Sequence, residues 1–224
     1  MRADLIWHVG TIEQAEEQCP EYVEGDVLDK KYRIPKKYKG IYVDRGDETP
    51  LAAIVSSRYA LVQHSDVLKA VHQMLETQLG QQTSYCKGWE VADVEYVGEL
   101  QEKMFITIDM HDELELSDST ITKGLEIQNS IDGTMAFRCN LRMVREVCSN
   151  GMIMAGMGEL SARLHRSSGE GLDYKEVLNT VRRWFQEVHV AYEQVEQLIR
   201  RLKEIDMSNY NVREYIDAMG LPKS

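Results

Sequence analysis

Arg58, Tyr59, Arg138, Arg142 and Arg145, with Lys30, Lys31, Arg33, Lys36 and Lys37, are the residues of this sequence whose chemistry is easiest to name. A guanidinium is planar, stays charged, contacts a phosphate through two N–H groups and stacks on a base. The segment 30–39 gathers six positive charges, Lys39 included, and interleaves them with Tyr32 and Tyr38. Lysine supplies phosphate contacts and tyrosine a stacking face, which is the mixture that a single-stranded nucleic acid needs. A solvated loop would also carry such charges. Further on, Arg138, Asn140 and Arg142 alternate with Cys139, Leu141 and Met143. A strand would therefore send both guanidiniums out of one face and the apolar side chains out of the other.

Other groupings offer less. Asp109, His111, Asp112, Glu113 and Glu115 could hold a cation, and a metal-dependent nuclease is the enzyme they would serve. Such a centre needs carboxylates brought together from distant segments or a nearby lysine, and an acidic hairpin end is the simpler reading. Cys148 and His165 have no further ligand at metal spacing. A Gly-x-x-x-x-Gly-Lys-Ser/Thr loop and a Gly-x-Ser-x-Gly elbow are both absent. No catalytic residue, metal or cofactor is expected, and the chain reads as non-enzymatic.

The elements that must position these residues follow from patterning. Thr11 with Gln14 forms a capping box for a short helix ending near Pro20. Ile41–Val43 and Ala52–Val55 read as strands joined by a polar turn. Ser65 is placed to cap a helix with Val67, Leu68, Val71, Met74, Leu75 and Leu79 on one face, closed by Gly80. Ser84–Val97 and Lys103–Asp109 form a hairpin, with Met104, Ile106 and Ile108 sharing a face. Asp132-Gly133 predicts a two-residue type I′ turn between two further strands. Met152, Met154, Met157 and Leu160 read as the apolar side of a helix. After a Ser/Gly-rich link at 167–173, Leu178, Val181, Phe185, Val188, Tyr192, Val195, Ile199 and Leu202 recur at alternating steps of three and four. That is a heptad seam, long enough to suggest a homo-oligomer held through residues 178–202. A last short helix starts at Asn211.

The expected fold class is α+β: an antiparallel sheet of β-hairpins packed on helices, with a long C-terminal heptad-patterned helix. The expected division is a core domain over 1–166 and a helical region over 167–224. Lys+Arg 26 against Asp+Glu 37 gives a net charge of −11, which excludes a uniformly basic coat for nucleic acid but not a local basic groove. Ten acids and one lysine lie between Glu90 and Asp118, so one sheet face or edge is negative. No apolar run approaches the roughly eighteen residues of a membrane helix, and no signal peptide is legible, so a cytoplasmic protein is expected. The four scattered cysteines are expected to be reduced.

Several segments in order carry a family resemblance. Trp7-His8, Ile54–His64 around Arg58-Tyr59, Gln128–Gly133, Arg142–Asn150 and Arg163-Leu-His165 resemble the phage/plasmid-related family catalogued as domain of unknown function 932. His64, Ile131 and Glu146 depart from its usual Asn, His and apolar residue. The resemblance spans roughly residues 5–190 and implies association with viruses, plasmids or other mobile elements, with no settled activity. The order of elements is also similar to the single-strand annealing superfamily of recombination mediators, an analogy of architecture. Together these readings lead to an oligomeric single-stranded DNA-binding or annealing protein. The alternative is a structural or interaction scaffold of a mobile element that binds no nucleic acid.

Overall fold

The computed structural model describes residues 6–26, 37–46, 48–80, 89–115, 120–145, 152–154 and 173–204. It is an α+β fold with two antiparallel sheets. In chain order the elements are β1 (Ile6–His8), α1 (Ile12–Gln18), β2 (Glu21–Gly25), β3 (Tyr38–Asp44), β4 (Leu51–Ser56) and α2 (His64–Gly80). There follow β5 (Trp89–Val97), β6 (Lys103–Glu115), β7 (Thr120–Ser130), β8 (Arg138–Arg145), β9 (Met152–Met154) and α3 (Tyr174–Glu204). The larger sheet has the order β1-β5-β6-β7-β8-β9 and the smaller one β2-β3-β4.

Alternation builds the core of the larger sheet. Tyr96, Val94, Met104, Ile106, Ile108, Ile127, Leu125, Cys139 and Leu141 are all buried, and cross-strand pairing places them on one face. A register shift between Val91 and Asp93 brings Trp89 onto the same face. Three helices cover it. Tyr96 donates through its hydroxyl to Ala15 O of α1 at 3.0 Å. Val67, Leu68, Val71, Met74 and Leu75 of α2 are buried. In α3, Phe185 packs on Trp89 and Trp184 on Phe137, with ring centroids 5.1 and 4.7 Å apart. Burying rings of this size contributes on the order of 2 kcal/mol each. The smaller sheet closes a second core of Tyr22, Ile41, Val43, Val55, Leu61 and Ile131.

The capping box of α1 forms as the sequence predicts, with Gln14 N donating to Thr11 Oγ1 and Thr11 N to Gln14 Oε1. Three local readings change. First, α2 begins at His64 rather than after Ser65, because Val67 N already donates to Gln63 O. Second, the link between β7 and β8 is not a two-residue type I′ turn. Such a turn needs positive φ at both central residues, and of Asp132 and Gly133 only Gly133 has it, at +71°. The connection runs through residues 131–137, where Asp132 Oδ1 accepts from Thr134 N and Ser130 Oγ pairs with Met135 N and O. Ile131 and Phe137 are drawn into the core and lengthen the loop. Third, Met152–Met154 is a strand, pairing Met152 with Met143 and Met154 with Leu141. Alternation at steps of two, not helical spacing, governs that stretch.

The chain divides into two compact units, Met1–Val188 and His189–Ser224, so the first half of α3 belongs with the sheets. The expected boundary at 166/167 and the helix from Asn211 lie outside the described residues. Among the described residues no helix is long and apolar enough to cross a membrane. Phe185 and Val188, expected on the oligomer seam, are already buried within one chain, as are Tyr192 and Val195, whereas Val190 and Leu198 are exposed.

Candidate nucleic-acid interface

The expected contact residues fall into two places. Arg138 and Arg142 do leave one face of β8, the side opposite the core. Successive cross-strand pairs give that face three rows: His8, Glu95, Phe105, Gln128, Arg138; then Asp93, Thr107, Glu126, Asn140; then Asp109, Gly124, Arg142. It is acidic on β5 and basic on β8. Side chains within it satisfy one another. Arg138 Nε donates to Gln128 Oε1 at 2.6 Å, Gln128 Nε2 donates in turn to Glu126 Oε1, and Asn140 Nδ2 reaches the same oxygen at 3.5 Å. Gln128 and Asn140 are buried within this layer.

Arg142 crosses a whole strand to pair with Asp109. The residue between them is Gly124. A Cβ there would stand 2.5 Å from Ile108 O and 3.1 Å from Asp109 Oδ1, so only glycine leaves room for the guanidinium to span β7. Asp109 is thereby engaged by an arginine. Of the rest of its acidic run, Glu113 and Glu115 are exposed, and the side chains of His111 and Asp112 lie outside the description. Arg138 and Arg142 are thus each engaged by a neighbour on that outer face. Arg145 ends β8 opposite Ile121, and its side chain is not described.

Tyr59 is also taken up internally. Its hydroxyl donates to Ser130 O at 2.8 Å, and a Cβ on Gly133 would lie 3.3 Å from its ring. Burial pushes the phenol well above the usual tyrosine range. Beside it, a network not foreseen from the sequence joins three segments. His64 Nε2 donates to Gln101 O at 3.1 Å, which leaves Nδ1 of the neutral ring to accept from Asn129 Nδ2 at 2.9 Å. Asn129 also donates to Val62 O at 2.9 Å, so it ties the segment before α2 to β7. His64 is fully buried, and desolvation pushes it down to about 4. Its spacing from Gln101 and Asn129 in sequence gives no signal for this grouping.

The other place is the smaller sheet. Ser57 N donates to Lys37 O at 2.8 Å and Tyr38 pairs with Ser56, so the β3–β4 edge sets Lys37, Tyr38 and Arg58 side by side. All three are exposed. Lys37 Nζ lies 5.3 Å from the centroid of the Tyr38 ring, within range of a cation–π contact. Along the same outer face stand Val23, Tyr42 and Leu51, paired across the strands, and Ile54, which pairs with Gly40. Val23, Tyr38, Leu51 and Ile54 are between 36% and 48% exposed. Tyr42 lies flat over Gly25 and Gly40, where a Cβ would meet its ring at 3.2 and 2.6 Å. Its hydroxyl donates to Asp26 O. Lys39 leaves from the opposite face and pairs with Glu24 at 2.6 Å. Lys30, Lys31, Arg33 and Lys36, which lead into Lys37, lie outside the described residues.

Among family models, the one described as Domain of unknown function (DUF932) matches residues 52–224. Trp7-His8 and β2–β3 precede the matched region, which is narrower at the N-terminus than the resemblance drawn from motifs and continues to the C-terminus. No curated protein and no solved structure matches the chain.

Proposed function

The chain belongs to the family of that model, and we propose that it is a non-enzymatic single-stranded DNA-binding protein of a virus, plasmid or other mobile element. One observation carries the reading. Lys37, Tyr38 and Arg58 are exposed together at one end of the β3–β4 pair, next to an apolar sheet face, and in the sequence the basic stretch 30–36 comes just before them. Sheet-borne aromatics beside cations are how single strands are held without base-specific contacts, because every base offers a π-face and every nucleotide a phosphate. The contact surface in this proposal is therefore the outer face of β2–β4, with the basic segment as its arm. Arg138 and Arg142 take a supporting electrostatic role at most. Assembly into a homo-oligomer in the cytoplasm of a host cell is part of the proposal. With Phe185 and Val188 of α3 buried in one chain, contacts between copies fall to its exposed residues, Val190 and Leu198.

The test is fluorescence anisotropy with a labelled oligonucleotide. Affinity should fall with salt, with a log–log slope of about 0.7 for each phosphate contacted. Absence of binding at low salt would leave the scaffold reading, which the same exposed apolar face and the net charge of −11 also suit.

A further inference from the structure

Two clusters pair a histidine with carboxylates, and their geometry separates them. Around His72, Glu16 approaches Nδ1 at 3.2 Å, while Glu76 and Glu13 approach Nε2 at 3.5 and 3.9 Å. Glu16 lies on the other edge of the ring from Glu13 and Glu76, and among the described residues the His72 group does not bring three ligand atoms within reach of one ion. Around His8, both carboxylates face the same nitrogen: Asp93 Oδ2 is 3.1 Å and Glu95 Oε1 3.2 Å from Nδ1. The three ligand atoms all lie within 4.8 Å of one another.

We propose that His8, Asp93 and Glu95 form a binding site for a divalent transition-metal ion of the zinc type, with the remaining positions open to solvent or to a ligand. Zinc holds nitrogen and carboxylate oxygen at about 2.0–2.2 Å, so two ligand atoms at a tetrahedral angle stand roughly 3.3 Å apart. Both His8 spacings match that separation. One imidazole and two carboxylates is a donor set that suits first-row divalent ions. The backbone prepares the site. His8 sits directly opposite Glu95 in the β1–β5 pair, and Asp93 lies two residues earlier on the same strand, hence on the same face. β1 is fixed by three such pairs and by Val9 N donating to Val94 O at 2.9 Å.

A second observation concerns charge. Asp93 and Glu95 are close enough to raise each other's energy, yet among the described residues their sole ion-pair partner is His8, with no lysine or arginine on either. A bound cation would neutralise both and clamp the three-residue edge strand to the sheet. Sequence reasoning misses this site because its ligands are 85 residues apart.

Cobalt(II) is the probe, added to chelator-stripped full-length protein and followed by ligand-field absorption, with zinc as competitor. The expected result is one equivalent bound, displaced by zinc, with a rise in melting temperature. His8→Gln and the double variant Asp93→Asn/Glu95→Gln should abolish it, while His72→Gln should leave it intact. His8 is exposed, so the variants are expected to fold, and their metal-free melting curves verify this. No binding by the wild-type protein, or binding kept by His8→Gln or lost in His72→Gln, would overturn the proposal. Oligonucleotide affinity is measured separately, so failure here leaves the nucleic-acid reading standing.

Discussion

Across the open face of the six-stranded sheet, Arg138 is held by Gln128 and Arg142 by Asp109, and amides between them are buried. Across the outer face of the three-stranded sheet, Tyr38, Leu51 and Ile54 stand exposed, and Lys37 beside them lies over the Tyr38 ring. The first face has closed its own hydrogen bonds, so a ligand would have to break them. The second asks for a partner, because apolar and aromatic surface remains in water. Charge alone does not separate the two: each carries arginine or lysine. What separates them is whether the positive groups already have counter-charges within reach, and that depends on cross-strand neighbours rather than on local composition.

The largest expected effect tests the closed face. Gly124→Ala puts a Cβ against Ile108 O and wedges apart the Arg142–Asp109 pair. A central strand cannot move aside without disturbing both neighbours. A loss on the order of 2–4 kcal/mol is expected, the range of strained core positions. Urea unfolding that matches the wild type would show that the strand has room and that the crossing pair is incidental.

Next comes the network that joins the two sheets' cores. His64 has a folded pKa of about 4 against an ordinary 6.5, so the unfolded chain takes up its proton first as pH falls. Stability from this residue is complete above about pH 6.5 and declines towards pH 4. The total is about 3 kcal/mol at one pKa unit per 1.36 kcal/mol. His64→Gln can still donate an amide N–H towards Gln101 O and has no proton to gain, so its stability profile should be flatter across that window. Parallel acid limbs for the two proteins would remove His64 as the cause.

On the outer face of the smaller sheet, Tyr38→Ala should weaken oligonucleotide binding by about 1–3 kcal/mol, the usual worth of one stacked base. Stability should scarcely change, since Tyr38 is 42% exposed at a strand end. Lys37→Gln with Arg58→Gln should instead reduce the salt dependence, by about 0.7 in slope for each phosphate that no longer meets a cation. A protein without the Tyr38 ring that binds as before would move the interface elsewhere.

Much of this arrangement was legible in the sequence. The capping box at Thr11, the alternation of Met104, Ile106 and Ile108, and the alternation along β8 are local patterns, and each forms as read. The α+β class follows from them. What could not be read were pairings across sequence distance. Nothing near Arg142 announces that Gly124, on the neighbouring strand, lets it reach Asp109. Tyr59 has the composition of a stacking residue and the environment of a packing one, because the 131–137 loop folds onto it. Asp132-Gly133 carries a strong hairpin signal, which loses to the burial of Ile131 and Phe137 on either side. Conversely, Tyr38 stands in plain view in the basic segment, and only strand pairing with Ser56 sets Arg58 beside it.

The smallest expected effect is the most discriminating. Arg142 and Asp109 are a quarter to a third exposed, so their coupling in a double-mutant cycle should be about 1 kcal/mol or less. Replacing both Arg138 and Arg142 by Gln removes two positive charges from the closed face and leaves Lys37, Tyr38 and Arg58 untouched. If the closed face binds no strand, oligonucleotide affinity should change less than about threefold, through long-range charge alone, and that residual change should vanish as salt shortens the screening length to about 10 Å. The same protein should show a modest stability loss, since Gln128 and Asp109 lose partners. A roughly tenfold or greater loss of affinity with unchanged stability would reverse the assignment. It would mean that a strand displaces Asp109 and Gln128 from the arginines, and that the closed face opens when its true ligand arrives.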